Sequence, residues 1–110
     1  MKTTNGYVYL ICDPGTDKFK IGVTTGPIEN RIKKLQTGNP TELFISAYHK
    51  TDYPFRIETM LHNKYKSFNV LNEWFDLPPS EIFGFNKTCN EMETIISTLK
   101  ENPFFTNGLK

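Results

Sequence analysis

The chain of 110 residues has few cysteines, no long apolar run and almost no net charge. Cys12 and Cys89 are too few and too far apart for a disulfide framework or a zinc site, so we interpret both as reduced thiols. The longest apolar run begins at Tyr7 and is much shorter than the ~18 residues of a membrane helix. No charged-then-apolar leader is present. We therefore expect an intracellular protein that is neither secreted nor membrane-bound.

A net charge of +1 gives no overall signature of nucleic-acid binding, but the charge is unevenly distributed. Residues 1–50 carry seven Lys and Arg against four Asp and Glu, whereas residues 51–110 carry six against eight. A site for a polyanion is therefore expected in the first half. The sequence also lacks a phosphate-binding glycine-rich loop, a nucleophile elbow and the His-Glu helix of metalloproteases, which argues against those enzyme classes.

The length and composition are typical of one small folded domain, since domains usually have roughly 100–150 residues. Nine Phe, five Tyr and one Trp make the chain too aromatic for a disordered protein. We expect a single domain over residues 1–110, with a core at about 6–100. The last five residues, Thr106 to Lys110, are expected to be frayed.

The clearest local pattern is a β-hairpin. Residues 7–12 are β-branched and aromatic, residues 13–17 are rich in turn formers, and residues 19–24 alternate between apolar and other side chains. Phe19, Ile21 and Val23 are expected on the buried face. Gly22 lies on the other face, and a glycine inside a strand often marks a close approach to the backbone.

Helical and strand patterns alternate through the rest of the chain. A helix is predicted from near Pro27 to Gly38, a third strand over residues 42–50, and a second helix opening at Pro54. A short helical turn is expected after Ser80. A last helix is predicted from Asn90, which forms a capping-box pattern with Glu93, with Ile95 among its buried residues.

Five segments, in this order, resemble the GIY-YIG nuclease superfamily. They are Tyr7-Val8-Tyr9-Leu10-Ile11, Lys20-Ile21-Gly22, Arg31 through Leu35-Gln36-Thr37-Gly38-Asn39-Pro40, Glu58 to Leu61-His62, and Glu73-Trp74-Phe75. The combination is similar to a branch from phages and large DNA viruses that has KIG in place of YIG. The resemblance covers residues 6 to about 85. It implies an α+β fold, in which a small three-stranded antiparallel sheet is flanked by three or so helices.

The resemblance also implies catalytic residues and a cofactor. Enzymes of this superfamily hydrolyse DNA phosphodiesters with one divalent ion, Mg²⁺ or Mn²⁺. Tyr9 would polarise or deprotonate the attacking water, Arg31 would contact the scissile phosphate, and Glu58 would hold the metal. Lys20 replaces the tyrosine of the second motif and would bind phosphate or move protons. Leu35 stands where many of these nucleases carry another polar catalytic side chain.

Other residues are given weaker roles. Lys33 and Lys34 would join Lys20 and Arg31 in binding nucleic acid, although such lysines are usually only a solvated face. Three residues are supporting candidates: Tyr7, His62 and Asn72. Whether Asn72 or Glu73 reaches the site is left open.

Purely structural roles for these residues, and other functions for the chain, remain alternatives to the nuclease. Arg31 and Glu58 could form an ordinary ion pair. The chain could be a non-cleaving DNA-binding module on the same fold, or a viral protein-interaction module. The sequence leaves the oligomeric state open.

Overall fold

A computed structural model describes the backbone of residues 5–101 and the side chains of residues 5–99. Within these residues the fold is α+β, with one antiparallel sheet and four α-helices. In chain order the elements are β1 (Gly6–Asp13), β2 (Lys18–Thr24), α1 (Ile28–Thr37), β3 (Phe44–Thr51), α2 (Pro54–Lys64), β4 (Asn69–Leu71), β5 (Trp74–Phe75), α3 (Pro79–Phe83) and α4 (Phe85–Glu101). A 3-10 turn, Lys66–Phe68, joins α2 to β4. The predicted frayed tail lies outside the described residues.

The predicted hairpin is confirmed, and a hydrogen-bonded aspartate organises its turn. β1 and β2 pair from Tyr7 opposite Thr24 to Asp13 opposite Lys18. The Asp13 carboxylate accepts hydrogen bonds from the Gly15 backbone N–H (3.0 Å) and the Thr41 hydroxyl (2.5 Å). The Thr41 hydrogen bond lowers the pKa of Asp13, against the opposing effect of burial. The turn is thereby fixed to the loop that precedes β3.

The sheet has five strands in the order β3-β1-β2-β5-β4, so the prediction of a three-stranded sheet is wrong in strand number. The two additional strands form a small hairpin around residues 72–73, where Asn72 adopts a left-handed conformation with φ of 53°. Asn tolerates this conformation better than most residues. Strands of three and two residues are too short to show an alternating pattern, which explains why the sequence did not reveal them.

Helices cover both faces of the sheet. On one face, α2 packs over β1 and β2, and α4 packs over β3 and against α2. Together they enclose the larger core: Val8, Leu10, Ile21, Ile57, Leu61, Tyr65, Phe75, Leu77, Phe85, Cys89, Met92 and Ile96. On the other face, α1 covers a smaller core made of Tyr9, Ile11, Ile28 and Leu43, with Ile32 and Leu35 packed against it. Tyr9, Lys20 and Gly22 belong to this second face because side chains alternate along a strand.

The predictions of the first two helices are confirmed by α1 and α2, whereas the last helix begins earlier than predicted. α4 starts at Phe85, so Asn90 lies inside it and the predicted capping box is wrong. Phe85, Cys89, Met92 and Ile96 form its buried stripe, and Ile95 is 50% exposed rather than buried. The polar residues between Phe85 and Cys89 concealed the first turn of this stripe.

Part of the motif that carries the resemblance stabilises a loop. The Gln36 side chain donates to the carbonyl oxygens of Asn39 (3.3 Å) and Thr41 (2.8 Å), and its own oxygen accepts from the Leu43 N–H (2.7 Å). One side chain thus satisfies three backbone groups between α1 and β3. These contacts give Gln36 a structural role.

Candidate functional site

A gap in the edge of the sheet creates the site. β5 pairs with β2 only at Phe19 and Lys20. At Ile21, the backbone N–H donates to the Glu73 carbonyl (3.1 Å), and the carbonyl oxygen accepts from Nε2 of His62 (3.0 Å). At Ile21, a side chain of α2 therefore makes the hydrogen bond that a longer β5 would have made. The backbone groups of Ile21 are satisfied by a turn residue and a histidine instead of a neighbouring strand.

His62 has a structural role in this arrangement. Its ring packs edge-on against Phe75, with 5.0 Å between centroids and an interplanar angle of 76°. Nε2 is also 4.0 Å from Oε2 of Glu58, one helical turn earlier. His62 consequently fixes α2 against β2, and this contact brings Glu58 to the gap.

Tyr9 and Gly22 are directly opposite each other on β1 and β2. A Cβ atom added at Gly22 would collide with the Tyr9 hydroxyl and its ring carbons. The Tyr9 side chain is completely buried, at 0% exposure. The expectation that Gly22 marks a close approach is therefore confirmed, and the group that approaches is Tyr9.

Arg31 connects α1 to this tyrosine. Its Nε donates a hydrogen bond to the Tyr9 hydroxyl at 3.3 Å. The ion pairs of the described residues do not include one between Arg31 and Glu58. Burial raises the pKa of Tyr9 above its ordinary value, and the Arg31 hydrogen bond opposes that rise only in part. The same hydrogen bond raises the pKa of Arg31. At neutral pH the pair is therefore a neutral phenol beside a guanidinium cation.

Lys20 lies on the same face of the sheet as Tyr9, and its side chain is directed toward the gap. It is only 9% exposed, and its Nζ lies 3.5 Å from Oε2 of Glu73 and 5.6 Å from the centroid of the Trp74 ring. Burial of a lysine requires compensation of its charge. The Glu73 carboxylate supplies that compensation from the turn beside β2.

Glu58 faces Glu73 across the gap. Burial raises the pKa of Glu58 above its usual range, and the neighbouring Glu73 carboxyl raises it further. The charges of His62 and Lys20 oppose this effect only in part. Two carboxyl groups thus share a partly buried space in which both cannot be charged without cost.

The donor atoms at the gap fit a hard divalent cation. One ligand atom each from Glu58, His62 and Glu73 lies within 4.8 Å of the others. Nε2 of His62 already donates a hydrogen bond to the Ile21 carbonyl. The two carboxylates are therefore the main groups that remain to bind an ion. Mg²⁺ and Mn²⁺ prefer such oxygen ligands and usually need one or two protein carboxylates, completed by water and phosphate. Glu58 and Glu73 could hold such an ion.

The remaining predicted site residues, all within the described part of the chain, form no hydrogen bond or ion pair with the carboxylates of the gap. Lys33 and Lys34 are exposed on α1, and Lys34 lines a cavity of about 340 Å³ together with Arg31. Tyr7 lies near the start of β1, with its ring centroid 5.7 Å from that of Tyr48. Asn72 forms the left-handed turn, and its carbonyl accepts from Asn69 Nδ2 (2.7 Å). Asn72 thus shapes the turn that carries Glu73.

Glu73 is the acidic residue that sequence reasoning did not assign to the site. Of the two residues left open, Glu73 is the one whose side chain contacts Lys20. The signal that could have identified it is an Asn-Glu pair, flanked by apolar residues, in a tight hairpin. Such a turn places the second residue beside the neighbouring strand, but the hairpin itself was not predicted.

No helix within residues 5–101 is both long and apolar enough to cross a membrane.

Comparisons with known proteins assign the chain to a family. No curated protein and no solved structure matched the sequence. The model of the T5orf172 domain matches residues 6–93, which include every residue of the gap. This phage-associated domain is related to GIY-YIG and homing-endonuclease-like folds. A match over most of the chain shows that this protein belongs to the T5orf172 domain family.

Proposed function

We propose that the protein is a divalent-metal-dependent DNA endonuclease that hydrolyses phosphodiester bonds. The observation that carries the proposal is the meeting of two carboxylates, Glu58 and Glu73, with the buried Lys20 at the gap in the sheet. The Tyr9–Arg31 pair lies on the same face of the sheet as Lys20. Membership of the T5orf172 family supports a nuclease-like or DNA-binding role. The resemblance to the KIG branch of GIY-YIG nucleases supports the more specific chemistry.

Arg31 would bind the scissile phosphate. Its Nε is engaged by Tyr9, which orients the guanidinium plane. The two terminal nitrogens remain available to donate parallel hydrogen bonds to phosphate oxygens. These donors stabilise the negative charge that develops on the non-bridging oxygens during attack.

Glu58 and Glu73 would hold the divalent ion. When bound, that ion supplies Lewis-acid stabilisation of the leaving oxygen. Glu58 is held by α2, which His62 anchors to β2, and Glu73 is held by the hairpin turn. Lys20 would neutralise the excess negative charge of the pair and contact the phosphate.

Tyr9 would orient the attacking water through its hydroxyl. The raised pKa of Tyr9, caused by burial, keeps this hydroxyl protonated at neutral pH. Access of a water molecule to this hydroxyl, which is buried in the free protein, would be part of DNA binding. Transfer of a proton to Tyr9 would additionally require the charge of the bound ion and Arg31 to lower its pKa.

A non-cleaving DNA-binding module on the same fold is the second candidate. The complete burial of Tyr9 and its hydrogen bond to Arg31 favour it, because the hydroxyl has no access to water in this conformation. In that case Lys20 and Arg31 would bind phosphate without hydrolysis.

Cleavage assays distinguish the two candidates. Plasmid, linear and single-stranded DNA would each be incubated with Mg²⁺, Mn²⁺ or EDTA. We expect metal-dependent cutting by the wild type, loss of cutting in Glu58→Gln, and unchanged cutting in Glu91→Gln, a control at an exposed position of α4. DNA binding without cutting on any substrate would overturn the nuclease proposal in favour of the binding module.

A further inference from the structure

A second cavity lies beside the candidate site and contains features suited to a nucleobase. It has a volume of about 500 Å³, which is within the usual range of ligand pockets. Its walls come from the start of β1, the end of β3, the loop of residues 25–27 and the start of α1. The lining side chains used below are Tyr7, Tyr48, Lys50 and Glu29.

Two tyrosines form one wall of this cavity. The Tyr7 and Tyr48 rings meet edge to face at 78°. This packing fixes the Tyr48 ring while leaving the residue 51% exposed. Its backbone is also held, because the Asn86 side chain donates to the Tyr48 carbonyl at 2.7 Å. An aromatic ring that is both fixed and accessible can serve as a platform on which a base stacks.

The cavity continues toward the phosphate-binding side of the site. Residues 25–27 line both this cavity and the smaller one that contains Arg31 and Lys34. A strand whose phosphate contacts Arg31 can therefore extend over this loop and place its next base against Tyr48. Lys50, which is exposed, and Lys34 would flank its backbone, opposed by the single carboxylate of Glu29.

We propose that the cavity lined by Tyr7, Tyr48 and Lys50 binds an unpaired nucleotide of the DNA strand that occupies the candidate site. The inference rests on the proposed function and specifies its substrate. A base within a duplex is stacked on its neighbours and cannot lie on Tyr48, whereas a base in a single strand or at a frayed end can. The protein therefore prefers DNA with an unpaired segment beside the phosphate.

The test measures binding in the cleavage-deficient Glu58→Gln protein with Mg²⁺, using a fluorescent-base single-stranded oligonucleotide and a blunt duplex of the same sequence. Stacking of one base on an aromatic ring is worth about 1–3 kcal/mol, or about 5- to 150-fold in affinity. We expect Tyr48→Ala to weaken single-strand binding by about 5- to 30-fold, toward the low end because the ring stays half-exposed. Tyr48→Phe should retain binding.

Phe44→Ala is the matched control, because Phe44 lies on the same strand with the same 51% exposure but does not line the cavity. It should change single-strand affinity by less than about twofold, since no stacking contact is lost. A Lys50→Gln variant should reduce the salt slope for single strands by about 0.7. Lys87→Gln, an exposed change on α4, should leave that slope unchanged.

The outcomes separate this inference from the proposed function. If Tyr48→Ala binds single strands as tightly as Phe44→Ala while the wild type cuts DNA, the nucleotide cavity is excluded and the nuclease stands. If the wild type neither cuts nor binds any DNA, both proposals fail. A loss in Tyr48→Ala that Tyr48→Phe does not share supports the stacking site, because both variants test the same position of the fold.

Discussion

Tyr9 occupies the space that a side chain at Gly22 would fill, on the face of the sheet that α1 covers. Its hydroxyl is thus held between the backbone of β2 and the Nε of Arg31. The absence of a side chain at position 22 is what allows the tyrosine and the arginine to meet.

Gly22→Ala should therefore destabilise the protein. The added methyl group meets Tyr9 inside a packed core, and such overpacking typically costs about 1–3 kcal/mol. Urea unfolding measures the change in the free energy of unfolding. Gly38→Ala is the control, because nothing lies within 4 Å of a Cβ at that position. Equal stability of the two variants would contradict the packing described for Tyr9.

Replacement of His62 should reveal its role as a cap for the β2 backbone. His62→Leu leaves the buried Ile21 carbonyl without its donor, at a cost of about 1–3 kcal/mol. His62→Gln keeps an N–H donor and should cost less. Urea unfolding in EDTA removes any contribution from bound metal. A His62→Leu protein as stable as the wild type in EDTA would show that this hydrogen bond does not stabilise the fold.

Glu58 and Glu73 should respond to metal as a pair. In EDTA, Glu58→Gln should raise the melting temperature, because it removes repulsion between two carboxylates. Glu73→Gln should not, because it also removes the carboxylate that compensates the charge of the buried Lys20. Mn²⁺ at about 100 times its Kd should stabilise the wild type by about 2.7 kcal/mol, and each variant should lose most of that gain. Glu91→Gln should behave as the wild type. A full Mn²⁺ response in Glu73→Gln would exclude Glu73 as a ligand.

The pH dependence in EDTA should reflect the raised pKa of Glu58, which burial and Glu73 cause. A folded protein with this shift binds the proton more tightly than the unfolded chain does. The contribution of Glu58 to stability is therefore fully present below the ordinary glutamate pKa and is lost as the pH rises through the raised value. Thermal melts of Glu58→Gln at several pH values should lack this part of the decline. Parallel profiles for the two proteins would contradict the shift.

Asp13 should show the opposite pH dependence. The Thr41 hydrogen bond lowers the pKa of Asp13, so its carboxylate stabilises the fold above the ordinary aspartate pKa. That contribution should be lost as the pH falls through the lowered value. Thr41→Val should weaken the contribution, and Asp13→Asn should abolish it. Acid-induced unfolding, followed by circular dichroism, should begin at a higher pH in Thr41→Val than in the wild type. An unchanged onset would show that the bond is unimportant.

Sequence patterns were sufficient to predict the elements that repeat a period over enough residues. The first hairpin, the third strand and the first two helices all have recurring apolar positions, such as Ile57 and Leu61. The strands β4 and β5 contain too few residues to repeat any period. The start of α4 was missed because its first buried residue, Phe85, is followed by three polar ones.

The candidate site was predictable only in part, for a related reason. Tyr9, Lys20, Arg31 and Glu58 were selected by their order in a family pattern, and the structure brings them to neighbouring positions. Glu73 belongs to one segment of that pattern, but its position depends on a turn of two residues between two very short strands, which periodicity did not reveal. The gap exists because β5 begins only at Trp74 and leaves β2 unpaired on that side beyond Lys20. No single residue determines that length.

The length of the β4–β5 hairpin therefore acts as a constraint on how this protein can evolve. An insertion of two residues in each arm would let β5 continue beside β2 past Ile21. The new strand would take the carbonyl that His62 now binds and carry Glu73 away from Lys20. The lengthened sheet could be just as stable, yet its edge would be closed. An insertion here would therefore separate Glu73 from Lys20 and turn the gap into an ordinary sheet edge.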